Sequence, residues 1–174
     1  VDFTWPMLII SIIIMVSVRI TYLVTNHCKI VLYKELLMLC FVIYILCLFQ
    51  VVTYQDDVSW ATNNYIPLKE IFRYDVGSRL FFRNVLGNMV MFLPFGFFIS
   101  YYLNSDDFKA TLFLTIIASV SIEVVQMLIG RVFDVDDILL NILGGLVGYF
   151  LYHILNTIGN RLPKVFRSDI FLNI

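Results

Sequence analysis

Long runs of apolar residues, separated by polar connections, dominate the pattern of this chain. A helix needs about 20 residues to cross the hydrocarbon core of a bilayer, and five stretches reach that length with few charges. They are residues 3–24, 36–54, 84–104, 110–130 and 137–155. Within each run the apolar residues are continuous and do not alternate, which disfavours a transmembrane β-barrel. The pattern predicts an all-α, polytopic membrane helix bundle of about five transmembrane helices, forming a single integral membrane domain over residues 1–174.

The connections between the predicted spans are unequal in length. Residues 56–83 form a loop of 28 residues that carries eight of the 25 charges of the chain, and loops of this length tend to be functional or disordered. Within the loop, residues 66–72 mix apolar and charged side chains at roughly helical spacing. This stretch is typical of an interfacial or re-entrant segment that covers a site. An amphipathic loop lying on the lipid headgroups fits the same pattern.

Composition supports a membrane protein and removes several other classes. The chain is 60% hydrophobic and 14% charged, whereas soluble domains average about 45–50% and roughly 25%. A formal charge of −1 without a basic block gives no reason to expect nucleic acid. Three cysteines form no CxxC pair, so neither a disulfide framework nor a zinc site is indicated. No P-loop or GxGxxG motif is present, and no cofactor is expected.

Orientation follows from the lysines and arginines near the predicted spans. Five lie on the side of the N-terminus and seven lie on the opposite side. Because positively charged flanks favour the cytoplasmic face, the sequence predicts an N-terminus outside and a C-terminus inside.

Polar residues inside the spans fall on shared helix faces near one end of the predicted bundle. Ser119, Glu123 and Gln126 follow one another at i, i+4 and i+7, which places them on one helix face. The start of the third span, the end of the fourth and the start of the fifth lie at the same membrane face, because a five-span chain alternates sides. The sequence therefore predicts a polar, ligand-binding pocket that opens to one side. Its candidate residues are Asn88, Glu123, Gln126, Arg131, Asp134, Asp137 and Asn141.

Glu123 has two interpretations. A charge at the centre of the hydrocarbon costs about 2.5–3.5 kcal/mol on insertion scales, and an intramembrane carboxylate generally has a function, here proton transfer, cation binding or contact with a polar headgroup. The structural alternative is a protonated acid, or a partner of Arg131 that joins two helices.

The acidic cluster Asp134, Asp136 and Asp137 also has two interpretations. Carboxylate oxygens are ligands for hard divalent cations, but acidic residues also favour the N-terminus of a helix. Capping of the fifth span is the preferred interpretation, and no metal site is predicted. Small residues let membrane helices approach closely, so a helix-packing face is expected at Gly144, Gly145 and Gly148.

Three motifs resemble those of the VanZ-like membrane family, over about residues 63–152. The first is Asn88-x3-Phe92-x-Pro94-x-Gly96-Phe97. The second is Ser119-x3-Glu123-x2-Gln126-x4-Arg131-x2-Asp134-x-Asp136-Asp137-x3-Asn141-x2-Gly144-Gly145-x2-Gly148. Asn64-Tyr65-Ile66-Pro67-Leu68 is similar to the family's Asn-Leu-Ile-Pro-Phe element, from which it departs conservatively at Tyr65 and Leu68.

The resemblance implies a bacterial plasma-membrane protein that lowers susceptibility to the glycopeptide antibiotic teicoplanin. In the leading hypothesis, the pocket binds an amphiphilic envelope component, such as a lipid-linked cell-wall or teichoic-acid intermediate, or a lipoglycopeptide. Membrane lipids are partners in any case. The alternative is an intramembrane enzyme that modifies a lipid-linked envelope intermediate, with Glu123 as its catalytic acid or base. A proton or cation path in a small transporter ranks last, because five spans show no inverted repeat.

Overall fold

The structure is a computed structural model that describes residues 4–25, 32–53, 63–103 and 107–161. Five helices account for most of these residues: α1 (Thr4–Thr25), α2 (Leu32–Thr53), α3 (Arg79–Leu103), α4 (Phe108–Leu128) and α5 (Val135–Arg161). Helices of at least 18 residues with the length and apolar character of a membrane span occur within α2, α3, α4 and α5, and Ile9–Thr25 in α1 is a shorter apolar helix. The described chain is therefore all-α, as predicted, and has the helices of a multi-pass membrane protein.

The helices overlap the predicted spans but differ from them at their ends: the second begins at Leu32, four residues before the predicted start, and the fifth ends at Arg161, six residues beyond the predicted end. The third helix begins at Arg79, five residues before the predicted start at Asn84. Its first turns are irregular, because Phe82–Leu86 form a π-helical turn before regular helix resumes at Gly87. Predicted ends at positions 3, 54 and 104 lie outside the described residues.

The chain divides into two compact units, Val1–Val51 and Val52–Ile174. In the first unit, a two-point ion pair joins α1 to the start of α2. Arg19 Nε donates to Glu35 Oε2 at 2.8 Å, and Arg19 Nη2 donates to Glu35 Oε1 at 3.0 Å. An arginine–carboxylate pair with two parallel hydrogen bonds is geometrically specific, so the only charged side chain within the first predicted span has a partner in the chain.

The second unit is built on close contact between α3 and α5. A Cβ atom added at Gly144 would lie 2.1 Å from the Met89 carbonyl oxygen, and one added at Gly148 would lie 2.1 Å from the Leu93 carbonyl oxygen. Gly145 faces α4 as well, where its added Cβ would lie 2.6 Å from Thr115 Cγ2. These three glycines therefore lie where backbones and side chains of neighbouring helices approach α5 most closely.

The buried side chains of α4 are polar, whereas many exposed ones are large and apolar. The buried residues of this helix are Thr111, Thr115, Ser119, Glu123 and Gln126. The exposed ones include Phe113, Ile117 and Leu128. A helix with a polar buried stripe and an apolar outer surface suits a lipid environment, in which polar groups must find partners inside the protein.

Residues 63–71, which we call the docking segment, lie along residues 131–137, which we call the acidic turn. Asn64 forms an isolated parallel bridge with Asp134. Its N–H donates to the Phe133 carbonyl at 2.8 Å, and its carbonyl accepts from the Val135 N–H at 3.1 Å. Residues 66–72, whose spacing is roughly helical in the sequence, form turns and one short 3₁₀ helix, Ile71–Arg73. The docking segment is therefore held by its hydrogen bonds to the acidic turn and not by a helix of its own.

Candidate functional site

Glu123 lies at the centre of a hydrogen-bonded network near the end of α4. Its side chain is 1% exposed, and its Oε2 accepts the backbone N–H of Asp134 at 3.0 Å. The amide of Gln126, oriented by its hydrogen bonds, donates to Glu123 Oε1 at 2.8 Å and accepts from Arg131 Nη1 at 3.0 Å. Gln126 therefore connects Glu123 to Arg131. The ion pairs of the described residues include no direct contact between Glu123 and Arg131.

Arg131 is exposed and also anchors the acidic turn. Its Nη1 donates to the Val52 carbonyl at 2.9 Å, and its backbone N–H donates to the Gln126 carbonyl at 2.9 Å. Gly130, directly before it, has a left-handed φ of 84°, which glycine adopts at little cost. This turn reverses the chain between α4 and α5 and brings Arg131 back over the end of α4.

Asp137 joins the first turn of α5 to the third turn of α3. Asn88 Nδ2 donates to Asp137 Oδ1, and the Asp137 side chain remains partly exposed. Glu123 approaches the same part of the chain, because its Oε2 accepts the N–H of Asp134, three residues before Asp137. The predicted meeting of α3, α4 and α5 at one end of the bundle thus brings two carboxyl groups together.

Asn141 lies one turn farther along α5, on the same face as Asp137. Its side chain is 2% exposed, and its Nδ2 donates to Ser119 Oγ at 3.0 Å. Ser119 is one turn before Glu123 on α4. The other amide atom, Asn141 Oδ1, is buried and has no hydrogen-bond partner in the structure. A buried polar atom without a partner is rare and calls for a physical explanation.

Asp134 caps α5, as the capping interpretation of the acidic cluster requires. Its Oδ1 accepts the backbone N–H of Asp136 at 2.8 Å and the Asn64 Nδ2 at 2.8 Å. Burial raises the pKa of the Asp134 carboxyl above its usual value, and the nearby charges of Asp136 and Glu70 act in the same direction, whereas the Asn64 hydrogen bond opposes them.

Asp136 binds the docking segment. Its carboxylate is 1% exposed and accepts three backbone N–H groups: that of Leu68, that of Glu70 at 2.6 Å and that of Ile71 at 3.2 Å. Leu68 has a left-handed φ of 69°, which is uncommon for a residue with a branched side chain. It follows Pro67 in a turn closed by Lys69 N–H on the Ile66 carbonyl at 3.4 Å, at a position where glycine is usual. The Asp136 carboxylate thus holds a turn that this sequence does not favour by itself.

Comparison with known proteins identifies the family. The VanZ/LLP1 family model matches residues 38–156.

The chain belongs to the VanZ/LLP1 family. A similar curated protein is "Protein VanZ" of Enterococcus faecium, 30% identical over 95 residues that make up 53% of this chain and 58% of that protein. This chain therefore spans less than two thirds of the length of that relative. No solved structure matches the chain.

All seven candidate site residues of this VanZ-like chain lie at one end of the second unit, and six of them fall into three hydrogen-bonded groups. One group contains Glu123, Gln126 and Arg131, a second joins Asn88 to Asp137, and a third joins Asn141 to Ser119. Asp134 connects the first group to the docking segment through its backbone N–H and its carboxylate.

Asn64 and Asp136 are neighbours of the candidate site that are not among the residues predicted from the sequence. Both occur in the motifs that resemble the family, and their places in those motifs are the sequence signal that could have identified them. The long-range hydrogen bonds that explain it, from the docking segment to the acidic turn, are visible only in the folded chain.

Proposed function

We propose that this chain binds an amphiphilic envelope component or a lipoglycopeptide at its seven candidate site residues, which we call the polar cluster, and that binding lowers susceptibility to teicoplanin. The observation that supports the proposal is the meeting of polar side chains from α3, α4 and α5 at one end of the bundle, around the buried Glu123. Polar and ionisable groups inside a membrane bundle are expensive and commonly mark a binding or transfer site. Family membership supports the link to glycopeptide resistance.

The partly exposed Asp137 gives the cluster a route to a ligand. Glu123 and Asn141 are buried, whereas Asp137 and Arg131 reach the surface at the same end. A ligand headgroup at the membrane face would meet these two exposed groups first. Its apolar tail would lie along the apolar outer surface of the helices, which includes Val90 and Leu128.

Glu123→Gln is expected to abolish protection against teicoplanin. Glutamine keeps the side-chain volume and a carbonyl oxygen for the Asp134 N–H, but it removes the negative charge and replaces the acceptor of the Gln126 donor with an NH2 group, so both the electrostatics and the hydrogen bonding of the cluster change. The measurement is teicoplanin and vancomycin susceptibility of a sensitive Gram-positive host carrying empty vector, the unmodified chain or the variant, at matched membrane levels. Susceptibility of the Glu123→Gln strain should equal that of the vector strain.

The matched control is Asp107→Asn, at the opposite end of α4. Asp107 is exposed and its Oδ1 accepts the Lys109 N–H at 3.0 Å, a helix cap that asparagine also provides. This control removes the same charge from the same helix and should leave protection intact. Full protection by Glu123→Gln, or equal loss in both variants, would contradict a role for the polar cluster.

The pair of neighbouring carboxyl groups favours one second candidate, an intramembrane enzyme that modifies a lipid-linked envelope intermediate. Glu123 and Asp137 differ in exposure, and two carboxyl groups in different surroundings are a common basis for acid–base catalysis. An enzyme would leave a changed lipid species in extracts of cells that express the unmodified chain, and that species would be missing from the Glu123→Gln strain. Identical lipid profiles in these strains, compared by mass spectrometry, would exclude this candidate.

A further inference from the structure

The polar cluster has more hydrogen-bond acceptors and negative charge than donors and positive charge. Glu123, Asp134 and Asp137 each carry a carboxyl group, and Arg131 supplies the positive charge within the candidate site. The Arg131 guanidinium does not reach Asp137 in any described ion pair. Among the described residues, the hydrogen bond given to the Asp137 carboxylate comes from Asn88, although an ionised carboxylate has about four acceptor sites.

Asn141 provides a second, independent observation, an acceptor oxygen between α4 and α5 that has no hydrogen-bond donor. Its Nδ2 is engaged with Ser119 Oγ at 3.0 Å, and its buried Oδ1 has no partner. Asn141 is one turn from Asp137 on α5, and Ser119 is one turn from Glu123 on α4, so the amide lies in the layer directly below the two carboxyl groups. Leaving a carbonyl oxygen unpaired costs about 1–3 kcal/mol, and a ligand donor would remove that cost.

We propose that this cluster binds the primary ammonium group of an amine-bearing ligand, with Asp137 and the free oxygen of Asn141 as acceptors and with Glu123 supplying further negative charge. The proposal rests on the proposed function and specifies the chemistry of its ligand. A primary ammonium carries three N–H donors and one positive charge, which matches both the surplus acceptors and the surplus charge. Among the described residues, no three His, Cys, Asp or Glu side chains are grouped to hold a metal ion, and this favours an ammonium over a divalent cation.

The position of the cluster indicates where such an amine would lie. Asp137 and Asn141 are in the first two turns of α5, which begins at Val135, so the acceptors are within about 10 Å of the helix end. This depth is near the headgroup region of the membrane face. A lipid headgroup and a water-soluble ligand can present the same ammonium chemistry there.

The test uses the full chain, purified and placed in nanodiscs, and compares two lipids that differ in the substituents on the headgroup nitrogen. Phosphatidylethanolamine has a primary ammonium, whereas phosphatidylcholine has an equally charged group without N–H donors. Native mass spectrometry should show at least about tenfold tighter retention of phosphatidylethanolamine, the effect of roughly one charge-assisted hydrogen bond. Equal retention of the two lipids by the unmodified chain, together with no stabilisation by soluble ethanolamine in phosphatidylcholine nanodiscs, would overturn the proposal, and neither comparison needs a variant.

Two variants locate the site. Asp137→Asn and Asn141→Leu should each remove the preference for phosphatidylethanolamine, whereas Asp107→Asn should preserve it. Retention of the preference in both cluster variants, with their thermal unfolding unchanged, would overturn the proposal. Soluble ethanolamine added to phosphatidylcholine nanodiscs forms a separate arm. Protection of the protein against thermal unfolding there, but no preference between the lipids, would identify a water-soluble amine as the source.

Antibiotic susceptibility of the same variants separates this inference from the proposed function. Suppose that Glu123→Gln loses protection while the unmodified chain neither prefers phosphatidylethanolamine over phosphatidylcholine nor is stabilised by soluble ethanolamine. The ammonium proposal is then overturned and the proposed function stands. If the preference for amines depends on Asp137 while the unmodified chain gives no protection, the ligand chemistry is supported and the resistance function is contradicted.

Discussion

Gly96→Ala is expected to destabilise the bundle by about 3 kcal/mol or more, the upper end of the range for overpacked interiors. A Cβ atom at this position of α3 would lie 1.9 Å from the Gly145 carbonyl oxygen and 2.7 Å from Gly145 Cα. Both are backbone atoms of α5, so no side chain can rotate away to make room. The helices would have to separate, and the close approaches at Gly144 and Gly148 would open with them. Thermal unfolding of the purified chain in detergent measures the loss.

Gly87→Ala provides the matched control within the same helix. The nearest atom to an added Cβ there is the Phe82 carbonyl oxygen at 3.8 Å, an ordinary van der Waals distance. Because alanine favours helix over glycine by about 1 kcal/mol, this variant should unfold at the same temperature as the unmodified chain or a higher one. Equal unfolding temperatures for the two alanine variants would mean that α3 and α5 are not held by this contact.

The helices could be predicted because the apolar runs are long and continuous, and because a bilayer fixes how long a spanning helix must be. The start of the third helix shows the limit of this reasoning. Because Arg79 and Arg83 are charged, the hydropathy pattern places the start of the span near Asn84. Both arginines nevertheless lie in one continuous helix that extends to Leu103. Hydropathy reports where lipid contacts a helix, and hydrogen bonding decides where the helix begins.

The end of the bundle that carries the polar cluster could also be predicted, since chain parity fixes which helix ends share a membrane face. The internal connections could not. Gln126 mediates between Glu123 and Arg131, whereas the sequence suggested a direct pair as one interpretation. Helical periodicity tells which residues share a face, but side-chain rotamers and turn geometry decide which atoms meet.

The docking segment is the part of the candidate site that the sequence predicts least well. Asn64 and Asp134 are 70 residues apart in the chain and form a two-residue bridge. A bridge this short produces no strand periodicity, and the mixed pattern of residues 66–72 resembles an amphipathic helix. The observed conformation depends instead on a buried carboxylate from another part of the chain, so local propensity and tertiary contact point in different directions here.

Asp136→Ala is expected to release the docking segment from the acidic turn. The carboxylate accepts backbone N–H groups from Leu68, Glu70 and Ile71, and hydrogen bonds to charged groups contribute about 1.5–3 kcal/mol each. Without them the left-handed φ of 69° at Leu68 loses the contacts that stabilise it. Hydrogen exchange measured by mass spectrometry should show amides of residues 63–71 losing protection, while those in the middle of α3, α4 and α5 keep theirs.

Asp75→Ala is the control, because it makes the same substitution at an exposed residue beyond the docking segment, in the same connection. Its exchange pattern over residues 63–71 should match that of the unmodified chain. Asp136→Asn should fall between the two, since asparagine retains one acceptor oxygen and loses the charge. If the segment detaches, the Asn64 bond to Asp134 is lost as well, and the acidic turn that donates to Glu123 loses support. Under the proposed function, Asp136→Ala should also weaken protection against teicoplanin. Unchanged exchange over residues 63–71 would show that Asp136 does not anchor the segment.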